Sequence, residues 1–459
     1  MKRAEGAYRV AVVPVRLNGR DYRAAHESCH KAALLWNHAV TALHTTWTAN
    51  LSDPTTKQLR HLVAAADPDL LQLHAHTKQA IVDDVLDAVK TYRQHKRAGA
   101  NVRAPWRAKA YRPLSFTAGF GWRITPGGKL ALSLGRGRPR IILPLPTVTS
   151  AATGAVTDTD SWGQITLCWD RDARQWSLHI SYRSTERAVL NPANRLAVVE
   201  GIINPMAVAV QTSTGFEVTV INGRSARAVK HRRNSAVAAL RAKMARCVKG
   251  SRQWRRYNHA LKRANSSAAS SLRNVDHQVS RKVANLAITH DTGTIVVGDV
   301  RGIEKSTKQA EERRFGKDQR RRLSQWSRGR QERYLAEKTG VELTHLDESY
   351  SSKTCPACLT RNRPRGRHYQ CHDCGFTCHR DAVGAINILM RSTHGAYTRI
   401  DPDIPVRVIY LRATPLRVAP SKAQNRATTT TGGRVAELRG SHAAVADPMV
   451  PTVQPHAAA

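Results

Sequence analysis

Four cysteines stand in two matched pairs, Cys355-Pro-Ala-Cys358 and Cys371-His-Asp-Cys374, with twelve residues between them. A C-x2-C turn presents two thiolates to one ion, and a spacer of that length lets the second turn close a tetrahedron. Four thiolates leave no open coordination position, so the chemistry is that of a structural zinc ribbon. Cys378 and His379 lie just outside as alternative ligands. Five of the eight cysteines fall within residues 355–378, a clustering that reads as metal chemistry and not as a disulfide framework. Arg361, Arg363, Arg365 and Arg367 lie between the pairs and suit a nucleic-acid backbone.

Charge points the same way. The 459 residues carry 73 Lys and Arg against 34 Asp and Glu, a net charge of +39. Such a surplus is the electrostatic footprint of a nucleic-acid partner. It is concentrated in residues 224–263, which hold fourteen Lys or Arg and no acid. A one-sign stretch repels itself unless a polyanion lies against it, which makes Arg232, Arg233, Arg255 and Arg256 candidate phosphate contacts. No run of about 18 apolar residues exists, so no transmembrane helix is expected. The N-terminus lacks a secretory h-region, and a cytoplasmic chain is expected.

The elements that must position these groups follow from periodicity. Residues 7–18 alternate as a strand, and helical spacing runs over 22–40, 56–66 and 76–96. Residues 97–116 are basic, broken by Gly and Pro, and carry Trp106, Tyr111 and Phe116. Strand patterns return at 129–134, 139–145, 164–170 and 175–182, making the first 190 residues a β-domain with a helical insertion. A hairpin is predicted over 196–222, a long helical region over 225–290, a strand at 294–300, a charged mobile loop over 305–325, a helix over 324–338 and a strand over 341–347. The low-complexity tail from about residue 398 predicts disorder.

The segment YSSKTCPACLTRNRPRGRHYQCHDCGFTCHRDAVGAINIL, residues 350–389, closely resembles the zinc-ribbon end of TnpB (OrfB) proteins. These are transposon-encoded, RNA-guided DNA nucleases and relatives of type V CRISPR effectors. The resemblance extends over roughly residues 5–395 and is most specific at 350–389. It implies an α/β multidomain fold: a RuvC-like (RNase H) domain with inserted helices and the ribbon, preceded by a wedge β-barrel with a helical recognition insertion. On this map the wedge covers 1–190 with the insertion at about 22–112. The first RuvC part covers 195–349 with basic helices at 224–290, the ribbon 350–378, the last RuvC segment 379–396 and a disordered tail 397–459. The implied partners are a guide RNA and a double-stranded DNA target, with no membrane, in a nucleoid-associated cytoplasmic setting. Lys96, Arg97, Arg103, Arg107 and Arg112 would then grip phosphates, with Trp106 and Tyr111 either stacking on bases or packing in the core.

RuvC nucleases need three carboxylates around two Mg²⁺ ions about 4 Å apart. His379-Arg380-Asp381 matches the family pattern in which an Asp opens the last helix, so the resemblance assigns Asp381 as one acid. Aligning NPMAVAV (204–210) on the second strand puts Glu200 where the family has the first Asp; an alternative alignment puts Ile203 there. Gly298 stands at the family's Glu position, and Asp299 beside it should point to the opposite face of the strand. Glu348, at the exit of the following strand, is the candidate replacement. The implied function is an RNA-guided, Mg²⁺-dependent DNA endonuclease using Glu200, Glu348 and Asp381. The departures from the pattern motivate an alternative, a nuclease-inactive RNA-guided DNA-binding protein. A DNA-joining transposase and a plain zinc-ribbon transcription factor fit less of the chain.

Overall fold

Two blocks of apolar pattern build the cores of this protein. The computed structural model describes residues 7–49, 52, 54–64, 72–149, 156–184, 189–301, 316–401 and 404–413. The first block runs β1 (Ala7–Val15), α1 (Gly19–Thr48), α2 (Thr56–Ala64), α3 (Ala75–Arg97), β2 (Leu114–Phe116), β3 (Trp122–Ile124), β4 (Lys129–Leu132), β5 (Ile141–Pro144), β6 (Trp162–Asp170) and β7 (Gln175–Ser184). These strands form a sheet in the order β1-β7-β6-β2 and a second in the order β3-β4-β5. Asn18 opens α1 by accepting from the Asp21 amide at 2.8 Å, satisfying an orphan donor of the first turn. Ala25, Cys29, Ala32, Trp36, Ala39 and Leu43 recur every three or four residues along α1 and are buried. They share one core with Ile81 and Val85 of α3 and with Phe116, Ile165, Leu178 and Ile180 of the sheets.

The second block runs β8 (Arg195–Glu200), β9 (Met206–Thr212), β10 (Gly215–Asn222), α4 (Arg224–Ala245), α5 (Arg252–Thr289), β11 (Thr294–Asp299), α6 (Lys317–Ser324), α7 (Arg328–Thr339), β12 (Leu343–Asp347), β13 (His368–Gln370), β14 (Thr377–His379), α8 (Arg380–His394) and β15 (Val406–Arg412). Six of these strands order as β12-β11-β8-β9-β10-β15. β8, β9 and β10 form an antiparallel meander, and β11 and β12 run parallel to β8. Strands covered on both faces read as continuous apolar runs, which explains LAVV and MAVAV. Leu196, Val198, Val208 and Val297 face α5 and α7 through Val279, Val283 and Leu335. Ala197, Val199, Ala207 and Ala209 face α8 through Ala382, Ala385 and Ile386, where small strand residues admit the helix closely.

Three expectations are corrected. The basic region is two helices, because the chain breaks at 246–251 and Ser251 caps α5 by accepting from the Trp254 amide at 3.2 Å. The charged segment expected as a loop contains α6, where Arg and Gln favour a helix; its part at 302–315 lies outside the described residues. The tail is not loose from 397: VRVIYLR pairs parallel with β10 from Phe216↔Val406 to Asn222↔Arg412, as its β-branched and aromatic content permits. Residues 414–459, where disorder was also expected, lie outside the described residues.

Candidate functional site

The ribbon builds a four-sulfur cage. Cys355 and Cys374 Sγ lie 3.6 Å apart, Cys358 and Cys371 Sγ 3.5 Å apart, and all four lie within 4.8 Å of one another. A tetrahedral zinc with Zn–S bonds of about 2.3 Å would set neighbouring sulfurs about 3.8 Å apart, so the cage could hold one such ion. Each knuckle turns through a left-handed residue directly after its second cysteine, Leu359 (φ 68°) and Gly375 (φ 74°). Asn362 supports the cage from behind, donating to Cys371 Sγ at 3.4 Å and to the Tyr369 hydroxyl at 2.9 Å. Cys378 packs beside the cage and does not enter the four-sulfur set. His379 instead caps α8, its Nδ1 accepting from the Asp381 amide at 3.2 Å.

Asp381 therefore sits in the first turn of α8. Its Oδ2 accepts from Asn204 Nδ2 at 2.9 Å and from Arg367 Nη1 at 2.5 Å. Glu200 is the last residue of β8 and is 4% exposed, and neither carboxylate oxygen has a hydrogen-bond partner. Burial, reinforced by the neighbouring Glu332 carboxyl, pushes its pKa up to about 9. Ile203 does not occupy the strand end; it lies in the following turn, where its carbonyl accepts from the Gly223 amide at 3.1 Å.

Glu348 follows β12, which lies beside β11 with Leu346 opposite Gly298. A Cβ at Gly298 would lie 2.6 Å from Glu348 Oε2 and 3.2 Å from its Cδ, so the Glu348 carboxyl fills the space a side chain at 298 would need. Glu348 Oε2 is buried without a partner. Burial first, then the Asp381 charge, pushes its pKa up to about 7. Asp299 is turned to its own neighbour: Arg301 grips it at 2.9 Å from Nε and 2.6 Å from Nη2, holding its carboxyl down to about 2.

Helix α8 positions both acids at once. Besides carrying Asp381, it ties down the loop that carries Glu348: Arg391 donates to the Asp347 carbonyl at 2.8 Å, and Asn387 donates to the Ser351 and Thr354 carbonyls at 2.7 Å each. Glu348 lies within electrostatic reach of Asp381, Asp299 and Asp347, and Glu200 within reach of Glu348. The three acids do not close into a set within 4.8 Å of one another; among the described residues only the four cysteines do. Burial of these carboxyl groups makes their anionic forms costly without a compensating positive charge.

Sequence reasoning missed Glu332, Asn204 and the role of Arg367. Glu332 Oε2 lies 3.2 Å from His345 Nε2, and its Oε1 lies 3.9 Å from Arg328 Nε. The Arg328–Glu332 spacing of four is ordinary for a surface helix pair, so only the fold brings Glu332 to Glu200.

Among the candidate phosphate contacts, Lys96, Arg97, Arg103, Arg107, Arg232, Arg255 and Arg256 are exposed. Arg233 is half-buried and donates to Asn265 Oδ1 at 2.9 Å. Arg112 is corrected: it is 8% exposed, ion-paired with Asp84, and its guanidinium lies 4.1 Å from the Trp36 ring centre, which makes it an internal strut. Trp106 packs edge-on against Trp47 at 4.9 Å, and the Tyr111 hydroxyl lies 2.6 Å from His26 Nδ1, so both serve packing. In the ribbon, Arg361 stacks over Tyr350 at 4.1 Å, and Arg363 and Arg365 stay exposed.

With this geometry in place, comparison with known proteins is informative. The family described as Cas12f1-like, TNB domain, matches residues 329–388, from α7 through the ribbon into α8. A TnpB-like protein of Methanocaldococcus jannaschii is 26% identical over 120 residues, which are 25% of this chain. The match spans 41% of that relative's length. Among solved structures, a Cas12f1–sgRNA–target DNA complex matches at 13% identity and a TM-score of 0.32, over 83% of this chain and 98% of that one. CasPhi-2 (Cas12j) bound to crRNA matches at 10% identity and a TM-score of 0.32, over 86% and 99%. The 120 matched residues are similar to a TnpB-like protein. No helix among the described residues is long and apolar enough to cross a membrane.

Proposed function

We propose that this chain is an RNA-guided, Mg²⁺-dependent DNA endonuclease of the TnpB type, with Glu200, Glu348 and Asp381 holding the metal ions. The observation that carries the proposal is the Glu348 carboxyl lying over Gly298, within reach of the Asp381 charge. It supports a relocated glutamate: the acid missing from β11 is delivered from the exit of the adjacent strand into the same space. The meander of three antiparallel strands followed by two parallel ones is the strand order of an RNase H fold, which supports a RuvC-like domain. The sheets at 7–184 would form the wedge, and α1, α2 and α3 the recognition insertion.

Bound Mg²⁺ would activate water and stabilise the leaving oxygen. The chain's own residues do the rest. Asn204 and Arg367 both hold Oδ2 of Asp381, which leaves Oδ1 to a ligand. Burial holds the Glu200 carboxyl up to about 9 and the Glu348 carboxyl up to about 7, so a bound cation would displace protons from the pair. Exposed arginines along α4 and α5 supply backbone grip, while base pairing to the guide supplies sequence. The four cysteines would hold a zinc ion that fixes the ribbon carrying Arg367.

The test is a cleavage assay: protein purified with its own guide transcript, a matched DNA target, and Mg²⁺. Cutting by the parent chain that is lost in Glu348→Ala, with RNA-guided DNA binding retained, supports the proposal; cutting that survives Glu348→Ala but not Asp299→Ala overturns the acid assignment. A nuclease-inactive RNA-guided binder is favoured by the Glu where the family has Asp and by the wider spacing of the three acids. It predicts target binding without cutting at any Mg²⁺ concentration.

A further inference from the structure

Glu200 shares its side of the sheet with two groups that the proposed chemistry does not use. Alternation along β8 turns Leu196, Val198 and Glu200 one way, and Leu196 and Val198 pack there with Leu335 of α7. Val198 registers with Val297 of β11, and Val297 with His345 of β12, so His345 closes a row across three strands on that side. Helix α7 runs back over this row. Glu332 stands one turn before Leu335, toward the strand ends where Glu200 lies. Its Oε2 lies 3.2 Å from His345 Nε2, and its Oε1 lies 3.9 Å from Arg328 Nε, beyond hydrogen-bond distance. The other side of the sheet faces α8. Val296 packs there, Gly298 alternates with it, and the Glu348 carboxyl lies over Gly298. Glu200, as the last residue of β8, stands where the two sides meet.

Glu200 makes the α7 side a ligand site. It is 4% exposed, and neither of its oxygens has a hydrogen-bond partner. A carboxylate buried in this way needs a cation. Arg301 is taken by Asp299. Arg328 can answer one of Glu200 and Glu332 and leaves the other over. An imidazole beside carboxylates is a donor set for transition-metal ions, whereas Mg²⁺ prefers oxygen alone. The donor atoms of Glu200, Glu332 and His345 do not all lie within 4.8 Å of one another. An ion would close the set by rotation of the Glu332 side chain, whose two oxygens are held only by His345 and the long Arg328 pair.

We propose that Glu200, Glu332 and His345 bind a divalent transition-metal ion on the α7 side of the sheet, adjoining the Glu348–Asp381 pair on the α8 side. This rests on the reading of Glu200 as a metal ligand, which the two places share. They differ in chemistry: the all-oxygen pair suits Mg²⁺, and the mixed set suits Mn²⁺. The bound ion ties α7 to β8 and β12 and holds Glu200 as an anion at the strand end.

The experiment is a Mn²⁺ titration read by electron paramagnetic resonance, on the full zinc-loaded chain freed of nucleic acid, with and without excess Mg²⁺. Mg²⁺ should displace Mn²⁺ from the all-oxygen pair and leave one Mn²⁺ per chain bound. Spin-echo modulation of that ion should show a directly bound imidazole nitrogen in the parent protein. Glu332→Gln should weaken it by at least about tenfold, as loss of a partner at a metal site does. His345→Gln should abolish the nitrogen modulation, and Glu348→Gln should leave this ion in place. Bound Mn²⁺ without nitrogen modulation in the parent, or binding indifferent to Glu332 and His345, overturns this proposal alone if Glu348→Gln and Asp381→Asn still release a Mn²⁺ that Mg²⁺ displaces. Mn²⁺ binding that Glu200→Gln, Glu348→Gln and Asp381→Asn all leave unchanged overturns the metal-site reading with it.

Discussion

Gly298→Ala adds one methyl group where Glu348 lies. The new Cβ would stand 2.6 Å from Glu348 Oε2, 3.2 Å from Cδ and 3.3 Å from Cγ. Ordinary contact begins near 3.4 Å, so the carboxyl must retreat by roughly 1 Å. It can, because it is the far end of a flexible side chain. Gly298 does not need a left-handed backbone, so alanine brings no strain of its own and removes freedom from the unfolded chain, worth about 0.4–1 kcal/mol. Stability should hold or rise by about that amount. Catalysis should not hold, since a misplacement of about 1 Å in a positioning group costs on the order of 100-fold in rate. Thermal unfolding and guided cleavage, measured on the same preparation, read the two effects separately. The double variant Gly298→Glu, Glu348→Ala should restore part of the cutting, because Gly298 and Leu346 are register partners and a carboxylate from 298 enters the same space. Undiminished cutting by Gly298→Ala at an unchanged melting temperature would refute the reasoning.

Further outcomes are expected. Purified protein should contain about one zinc per chain, and Cys371→Ser should lose both the metal and the fold of residues 350–378, because binding there is folding free energy; zinc-free protein with a protected ribbon would count against this. Leu359→Gly should stabilise the ribbon by about 1 kcal/mol, since a leucine at φ 68° carries a left-handed penalty of that order; chelator resistance of the variant reads it. Without metal, stability should fall as pH rises from 4.5 towards about 7 and about 9: Glu348 and Glu200 bind their protons more tightly folded than unfolded, and that advantage is lost on ionisation. Mn²⁺ should flatten the fall, and a pH-independent melting temperature across that window contradicts the burial of these acids. The protein should retain RNA through purification and release it steeply with salt, and a flat salt dependence would contradict backbone grip by α4 and α5.

What could be read in the sequence was what is local to it. The cysteine cage and the helix start at Asp381 are set within a few residues of backbone, so spacing alone reveals them. Glu348 was legible because adjacent strand exits are close. Arg112 was not: an arginine in a basic segment looks the same whether it meets a phosphate or, as here, Asp84 and Trp36 in the interior. Asn204 and Asp381 are 177 residues apart, and Glu332 meets Glu200 only because α7 packs on the face of β8 that bears it. Such contacts depend on tertiary approach, and no periodicity announces them. The strand at β15 carried its own signal in VRVIYLR, which the low-complexity composition after it obscured.

The claim that Glu200, Glu348 and Asp381 serve one metal centre is tested most directly by anomalous diffraction at the manganese edge. The crystals should contain the full chain bound to its guide RNA and an uncleavable DNA strand, grown with Mn²⁺. Manganese between the Glu348 and Asp381 carboxylates, with Glu200 on the same centre, is the predicted result. Nucleic acid in place with no anomalous density beside Glu348, or with manganese on Asp299 instead, would contradict it.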